Sequence, residues 1–521
     1  MIQTSAPRFA RRGLTLVEML VATTLTLILF FSVAQIFAFL GDTMHDARST
    51  IELSGNLRGL TTTMQTDLDC HTAPGLPWLP IGANQGYFTL IEGPDRDLDF
   101  AKVASMAGDA DDVLAFTAYS KDQPFVGLIN GQLQRDPDGI LRITNPTGPT
   151  DVSPITSHYA EILYWTEFTP YDDTNGDGNR DADETVTLFR RVLLIRPDID
   201  FSQDAITGDP KLLTYLETAN NYDLSVRPVQ QTGAGYEWAT NSLEDLQSRQ
   251  NRHGSWRIGS ISDPSLSLFE FDNLNDMAAR SFPYPLVPSY LRSFEKIQQI
   301  AIDGGLTLRD RTGEDVVMAK VLAFDVKAFD PAAPILVHST NNDIAAIPGD
   351  VGFLQMDENV TTDATLAGRG AFVDLDWDGL TYDPSRGTQE YDNGHFYGTP
   401  SAKSQLAGQT VTITDNLRVP TVGLTARNIA VYDTWPMRYE SDGLNQDYVD
   451  DGVANINTPP FDEGTNGIDD DNANGVDDPG ERETAPPYDH PLRGIQITIR
   501  AIEDGSRLIR QDTVTANLMT E

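Results

Sequence analysis

The run Arg11-Arg12-Gly13-Leu14-Thr15-Leu16-Val17-Glu18-Met19-Leu20 opens an apolar stretch that continues to Leu40, and its reading decides the fold. Residues 1–13 carry Arg8, Arg11 and Arg12 and no acid, and between Leu14 and Leu40 the sole charge is Glu18. A cleaved secretory signal has an apolar core of about 7–15 residues, and this one is longer. It matches the roughly 20 residues that cross a bilayer. Arginines in front of such a span predict a cytoplasmic amino terminus. Glu18 is the anomaly, because a carboxylate inside a membrane helix is expensive and is normally kept for a function. The mildest place for it is the helix start, where the backbone dipole favours an anion.

Working outward, Leu53, Leu57, Leu60, Met64 and Leu68 recur at spacings of four and three, one apolar stripe of a helix. Pro74 and Pro77 stop it. The helix expected from Leu14 to Leu68 is on the order of 80 Å long at 1.5 Å per residue. Beyond it, residues 113–119, 160–168, 185–195 and 321–329 are β-branched or aromatic runs bounded by turn residues. Ile495 to Ile499 alternates, Asp504-Gly505 supplies a hairpin turn, and a returning strand runs from Leu508 to Val514. Leu243–Arg252 and Phe294–Ile302 are modest helical patches. The expected class is α+β: a long amino-terminal helix, transmembrane and then amphipathic, followed by a large, mostly antiparallel β-sheet head with acidic loop insertions.

Gly13 to Glu18 behind a short basic leader resembles the processing site of type IV pilins and type II secretion pseudopilins. The resemblance covers residues 1–70. It implies that a prepilin peptidase cuts after Gly13, that Leu14 becomes the N-methylated first residue, and that Glu18 pairs with the amine of a neighbouring pilin or pseudopilin subunit as helices stack. It further implies a single pass of the inner membrane, with the carboxy-terminal head in the periplasm or on an extracellular fibre. A long helix followed by an antiparallel sheet is similar to the J-type minor pseudopilins and W-type minor pilins, although this head is much larger than theirs. The expected organisation is a leader (1–13), a membrane half of the helix (14–40), its amphipathic half (41–70), a β-rich head (71–340), acidic Gly/Asp/Asn-rich insertions (341–487) and a terminal β-hairpin (488–521).

The 521 residues hold 77 Asp+Glu against 37 Lys+Arg, a net charge of -40, which repels nucleic acid and attracts cations. The single cysteine, Cys70, rules out an intrachain disulfide, so long extracytoplasmic loops need another staple. Asp173 to Glu184 fits the twelve-residue calcium loop. Asp173, Asn175 and Asp177 supply side-chain oxygens, Gly178 the sharp turn, Asn179 a backbone carbonyl, Asp181 a contact through water and Glu184 a bidentate carboxylate. Strand patterns flank it, so it is expected as a structural clamp on a β-connection. Asp470, Asn472, Asn474, Val476, Asp478 and Glu481 repeat the spacing, with Gly475 at the turn. Asp374, Asp376, Asp378 and Gly379 begin a third such loop, but Ser385 stands where the closing glutamate belongs.

No HExxH, GxSxG, GK[ST] or GxGxxG pattern occurs, and one cysteine excludes a CxxC centre. The expectation is therefore no enzyme but a calcium-stabilised fibre subunit. A membrane-displayed, calcium-dependent adhesin on a pilin-like anchor is the alternative, and a tethered enzyme with an unrecognised acidic site is a third.

Overall fold

The structure is a computed structural model. It describes residues 15–93, 108–144, 151–176, 180–181, 184–200, 206–207, 218, 220–230, 235–253, 311–338, 341–350, 353, 364–375, 377, 410–412, 426–428, 430–441, 462–469, 472, 474–478, 480–482, 484–503 and 507–519.

One helix, α1 (Leu16–Asp69), runs without a break for 54 residues. Its first part, Leu16–Gly41, is long and apolar enough to cross a membrane, and none of it is buried. Its second part is amphipathic in the register expected. Leu53, Leu57, Leu60, Met64 and Leu68 are buried and belong to the main core.

That stripe packs on a ten-stranded sheet. Its strands are β1 (Phe88–Glu92), β2 (Val113–Tyr119), β3 (Tyr159–Glu167), β4 (Val186–Leu194), β5 (Val316–His338), β6 (Asn341–Ala346), β7 (Ala364–Val373), β8 (Ala430–Asp433), β9 (Gly494–Ile502) and β10 (Ile509–Asn517). The order is β8-β1-β2-β3-β4-β5-β9-β10, with β6 and β7 also paired to β5. Every pairing in it is antiparallel. On one face, Phe88, Leu114, Ile162, Val326 and Ile497 meet the stripe of α1. On the other, Trp165 stacks on Phe189 in a second core with Tyr87, Leu163 and Leu246. The central strands are therefore apolar on both faces, and they read as continuous apolar runs with no alternation.

β5 is 23 residues long, well beyond the expected 321–329. Its register shifts at Val321/Ala323 and again at Asp330/Pro334. Such bulges bend a strand, so β5 serves β4, then β9, then β7 along its length. The terminal hairpin is found as β9 and β10, with Ile495 opposite Ala516; its Asp504-Gly505 turn lies outside the described residues. Of the two modest helical patches, α2 (Leu243–Gln247) forms behind a Ser242 capping box, and Phe294–Ile302 lies outside the described residues.

The span 341–487, expected as inserted loops, contains strands where it is described. β6, β7 and β8 all lie within it and are built into the main sheet, β8 pairing with β1 from Ala430 opposite Glu92 to Asp433 opposite Thr89. Backbone groups at a buried sheet edge need partners, and these strands supply them.

Candidate functional site: the helix start and a buried carboxylate cluster

Gly13 and Leu14 lie outside the described residues. Thr15 is the N-cap of α1, and Glu18 completes a capping box with it. The Glu18 carboxylate accepts from the Thr15 backbone N–H at 2.8 Å and from its hydroxyl at 3.0 Å, while the Thr15 hydroxyl oxygen accepts from Glu18 N–H at 3.3 Å. An orphan donor of the first turn is thereby satisfied, and the anion sits where the helix dipole favours it.

At its other end α1 is clamped to the sheet. Arg190 on β4 donates from Nε and Nη2 to both oxygens of Asp67, at 2.7 and 2.9 Å. The Tyr164 hydroxyl on β3 donates to the same carboxylate at 2.6 Å. Burial, and then the neighbouring Asp67 charge, push the Tyr164 hydroxyl well above its ordinary value.

The Asp173–Glu184 loop connects β3 to β4. Asp177, Asn179 and the Gly178 turn lie outside the described residues; Asp173, Asn175, Asp181 and Glu184 are described, and the fold gathers them. Asn175 Nδ2 donates to Asp181 at 2.8 Å, and the Asp173 carboxylate accepts from Gly176 N–H at 2.5 Å. Glu184, 1% exposed, accepts from Thr174 N–H and hydroxyl, both at 2.7 Å, and from Asp181 N–H at 2.9 Å. Burial pushes the Glu184 carboxyl up, but these donors outweigh it and hold it below the ordinary value. Sequence reasoning missed Asp172, which anchors the loop by accepting from Thr169, Thr185 and Thr187 hydroxyls at 2.7, 2.9 and 3.0 Å.

In the second loop Asp470 lies outside the described residues. Asn472, Asn474 and Gly475 adopt left-handed φ of 54°, 54° and 112°, a tight turn of the kind Asn and Gly tolerate. Glu481 is buried and accepts from Asp478 N–H at 3.0 Å, whereas the Val476 side chain is exposed. In the third loop Asp376, Asp378 and Gly379 lie outside the described residues, and Asp374 turns inward.

Asp374 leads to a site that spacing did not show. Glu92, Asp109, Asp111, Asp112, Asp325 and Asp374 are all buried. Carboxylate oxygens of Glu92, Asp109 and Asp374 lie within 4.8 Å of one another, and so do those of Asp109, Asp111 and Asp112. Asp112 accepts from Val326 N–H at 2.6 Å and from Gly93 N–H at 3.3 Å. Burial, then the charges of Asp325 and Asp111, push its carboxyl well above the ordinary carboxylate range. Gly93 is needed at this contact, because a Cβ there would stand 2.0 Å from Asp111 Oδ1. Lys327 bridges Asp374 at 2.7 Å and Asp325 at 3.1 Å. These carboxylates could hold a metal ion. An all-oxygen set suits hard cations in general and does not select calcium. The one signal in the sequence was Asp109-Ala110-Asp111-Asp112, three acids abutting β2, whose residues are buried on both faces.

Behind the second core Arg252 and Arg249 both pair with Asp433, at 2.7 and 3.0 Å, and Arg252 lies 4.1 Å from the Tyr87 ring centre. Glu161 accepts there from Tyr87, Ser225 and His253 N–H at 2.7, 2.6 and 2.9 Å.

Compared with protein families, with curated proteins and with solved structures, the chain finds no match.

Proposed function

We propose that this chain is a subunit of a pilin-like fibre, a minor pilin or pseudopilin of a type II secretion or type IV pilus-like machine, processed by a prepilin peptidase and assembled through α1. The observation that carries the reading is the division of one continuous helix. Its first half exposes an apolar surface fit for a bilayer, and its second half is packed into the head. A helix of this kind can leave the membrane laterally and stack with its neighbours while the head stays folded. Glu18 is the one acid in the apolar half, and stacking gives it a partner in a neighbour's terminal amine. In this reading the span lies in the inner membrane and the head on its outer side. Calcium belongs to the same reading, as the cation that clamps the Asp173–Glu184 loop.

Intact-mass analysis of protein from native membranes tests the processing step. The expected chain begins at N-methylated Leu14; a chain that keeps Met1, or is cut near Ala38, counts against it. Glu18→Val should insert normally and be depleted from sheared fibres at least severalfold. Normal recovery of that variant in fibres would remove the assembly role.

A further inference from the structure

We propose that Lys327 and Asp374 condense into an intramolecular isopeptide bond inside the head, with Glu92 as the acid that relays the protons.

The geometry begins with register. Ala328 on β5 pairs with Val373 on β7, and Lys327 and Asp374 are the next residues beyond that pair. Lys327 Nζ stands 2.7 Å from Asp374 Oδ1, with the two side chains 12% and 3% exposed. Lys327 is also paired through its backbone opposite Gln496 of β9, which holds its main chain on that side. Asp325, two residues back on the same face of β5, holds the amine from a second direction at 3.1 Å. Glu92 ends β1, is 1% exposed, and has a carboxylate oxygen within 4.8 Å of one on Asp374. Its Oε2 accepts from Leu375 N–H at 3.2 Å, which fixes it beside the reacting carboxyl.

β5 and the ends of β7 and β1 thus bring an amine, a carboxyl and a second acid together in a largely buried place. Holding reacting groups in contact replaces an encounter with a step inside one molecule. The surroundings favour the product as well, since a buried ion pair carries a larger desolvation penalty than a neutral amide.

The step balances without a co-reactant. Lys327 Nζ attacks Cγ of Asp374, the N–C bond forms, and one C–O bond breaks. Of the three ammonium hydrogens one stays on the amide nitrogen and two leave with the oxygen as water. Glu92 takes two protons from Nζ in turn, the first before the attack to free the lone pair and the second from the tetrahedral adduct, and hands each to the departing oxygen. Nothing is oxidised or reduced. The link closes the chain between residues 327 and 374 and restricts the unfolded state as a disulfide would, in a protein whose single cysteine cannot form one within the chain.

The test is proteolysis of the full chain isolated from its native membranes, read by tandem mass spectrometry. The expected product is a branched peptide joining the Lys327 and Asp374 segments, lighter by one water than the two linear peptides together. Lys327→Arg, which keeps the ion pair, should yield linear peptides only, and Glu92→Gln should lose most of the branched product. Linear peptides alone from the wild type would overturn the proposal and leave a plain ion pair. A branched peptide undiminished in Glu92→Gln would overturn the role of Glu92. The amino terminus is not read in this experiment, so its outcome is independent of the fibre assignment.

Discussion

Asp67 sits on α1 at the point where the helix meets the sheet, and it carries an ion pair to Arg190 of β4. Asp67→Asn leaves the Arg190 guanidinium without its carboxylate. Losing one partner of a fully buried pair costs about 3–5 kcal/mol. Here Arg190 keeps 21% of its side chain in water, so a smaller loss is expected, about 2 kcal/mol. Urea unfolding of the detergent-solubilised chain, followed by tryptophan fluorescence, measures it. An unchanged midpoint would show that the clamp contributes nothing. Asp67→Asn combined with Arg190→Gln should recover part of the loss, because no charge is then left unpaired.

His253 is the second residue with a measurable signature. Arg191 Nη1 donates to its Nε2 at 2.9 Å, which leaves the ring proton on Nδ1. Burial, then the Arg191 charge, hold the imidazole well below its ordinary value. The folded protein therefore refuses a proton that the unfolded chain accepts near pH 6.5. That contribution is complete above about pH 6.5 and is lost as pH falls from there towards the folded value, at up to about 1.4 kcal/mol per pH unit. Glu161 and Asp315, the latter paired with Arg191 at 2.6 Å, oppose it, since burial raises both carboxyls. The readout is thus the difference between wild type and His253→Gln. Wild type should lose stability relative to the variant as pH drops below about 6.5, and parallel curves would show that the ring titrates normally.

At the scale of elements, what was legible followed the periodicity of single segments. The buried stripe of α1 and the run 113–119 of β2 carry their pattern within one window, and both were found where expected. β5 runs past the expected 321–329 because bulges at Val321/Ala323 and Asp330/Pro334 break the alternation that marks a strand. The carboxylate cluster was illegible for a different reason. Glu92 meets Leu375 across 283 positions, and no local spacing records a contact set by sheet order.

The β3–β4 connection gives the element-scale prediction. Asp173, Asp181 and Glu184 are drawn together by the loop's own amides, and a divalent cation should tighten the arrangement further. Millimolar calcium should raise the melting temperature of the full chain over that in chelator. A hundredfold excess over the dissociation constant would give about 2.7 kcal/mol, and the weak sites typical of extracellular modules give less. Asp173→Ala/Glu184→Ala separates this loop from the buried cluster. Equal melting of the wild type in both buffers would refute the clamp, and a shift that survives in the double variant but not in Asp111→Asn would place the cation among Asp109, Asp111 and Asp112.

At the scale of the whole molecule, the sheet is closed by strands from opposite ends of the chain. β1 waits for β8, more than 300 residues later, and the stripe of α1 is roofed partly by Ile495, Ile497, Ile499 and Val514. Thr61 on the helix donates its hydroxyl to Asp512 at 3.1 Å. Such distant contacts make folding slow, because long loops must close before the contacts that stabilise them exist. The order of synthesis adds a direction to that delay. The helix is made before its partner hairpin, so Leu57, Met64 and their neighbours lack part of their cover until β9 and β10 have emerged. A chain stopped before β9 would keep the apolar span and lose that hairpin, leaving part of the stripe open to proteases. Full cover of the stripe therefore marks a chain whose synthesis has passed β10.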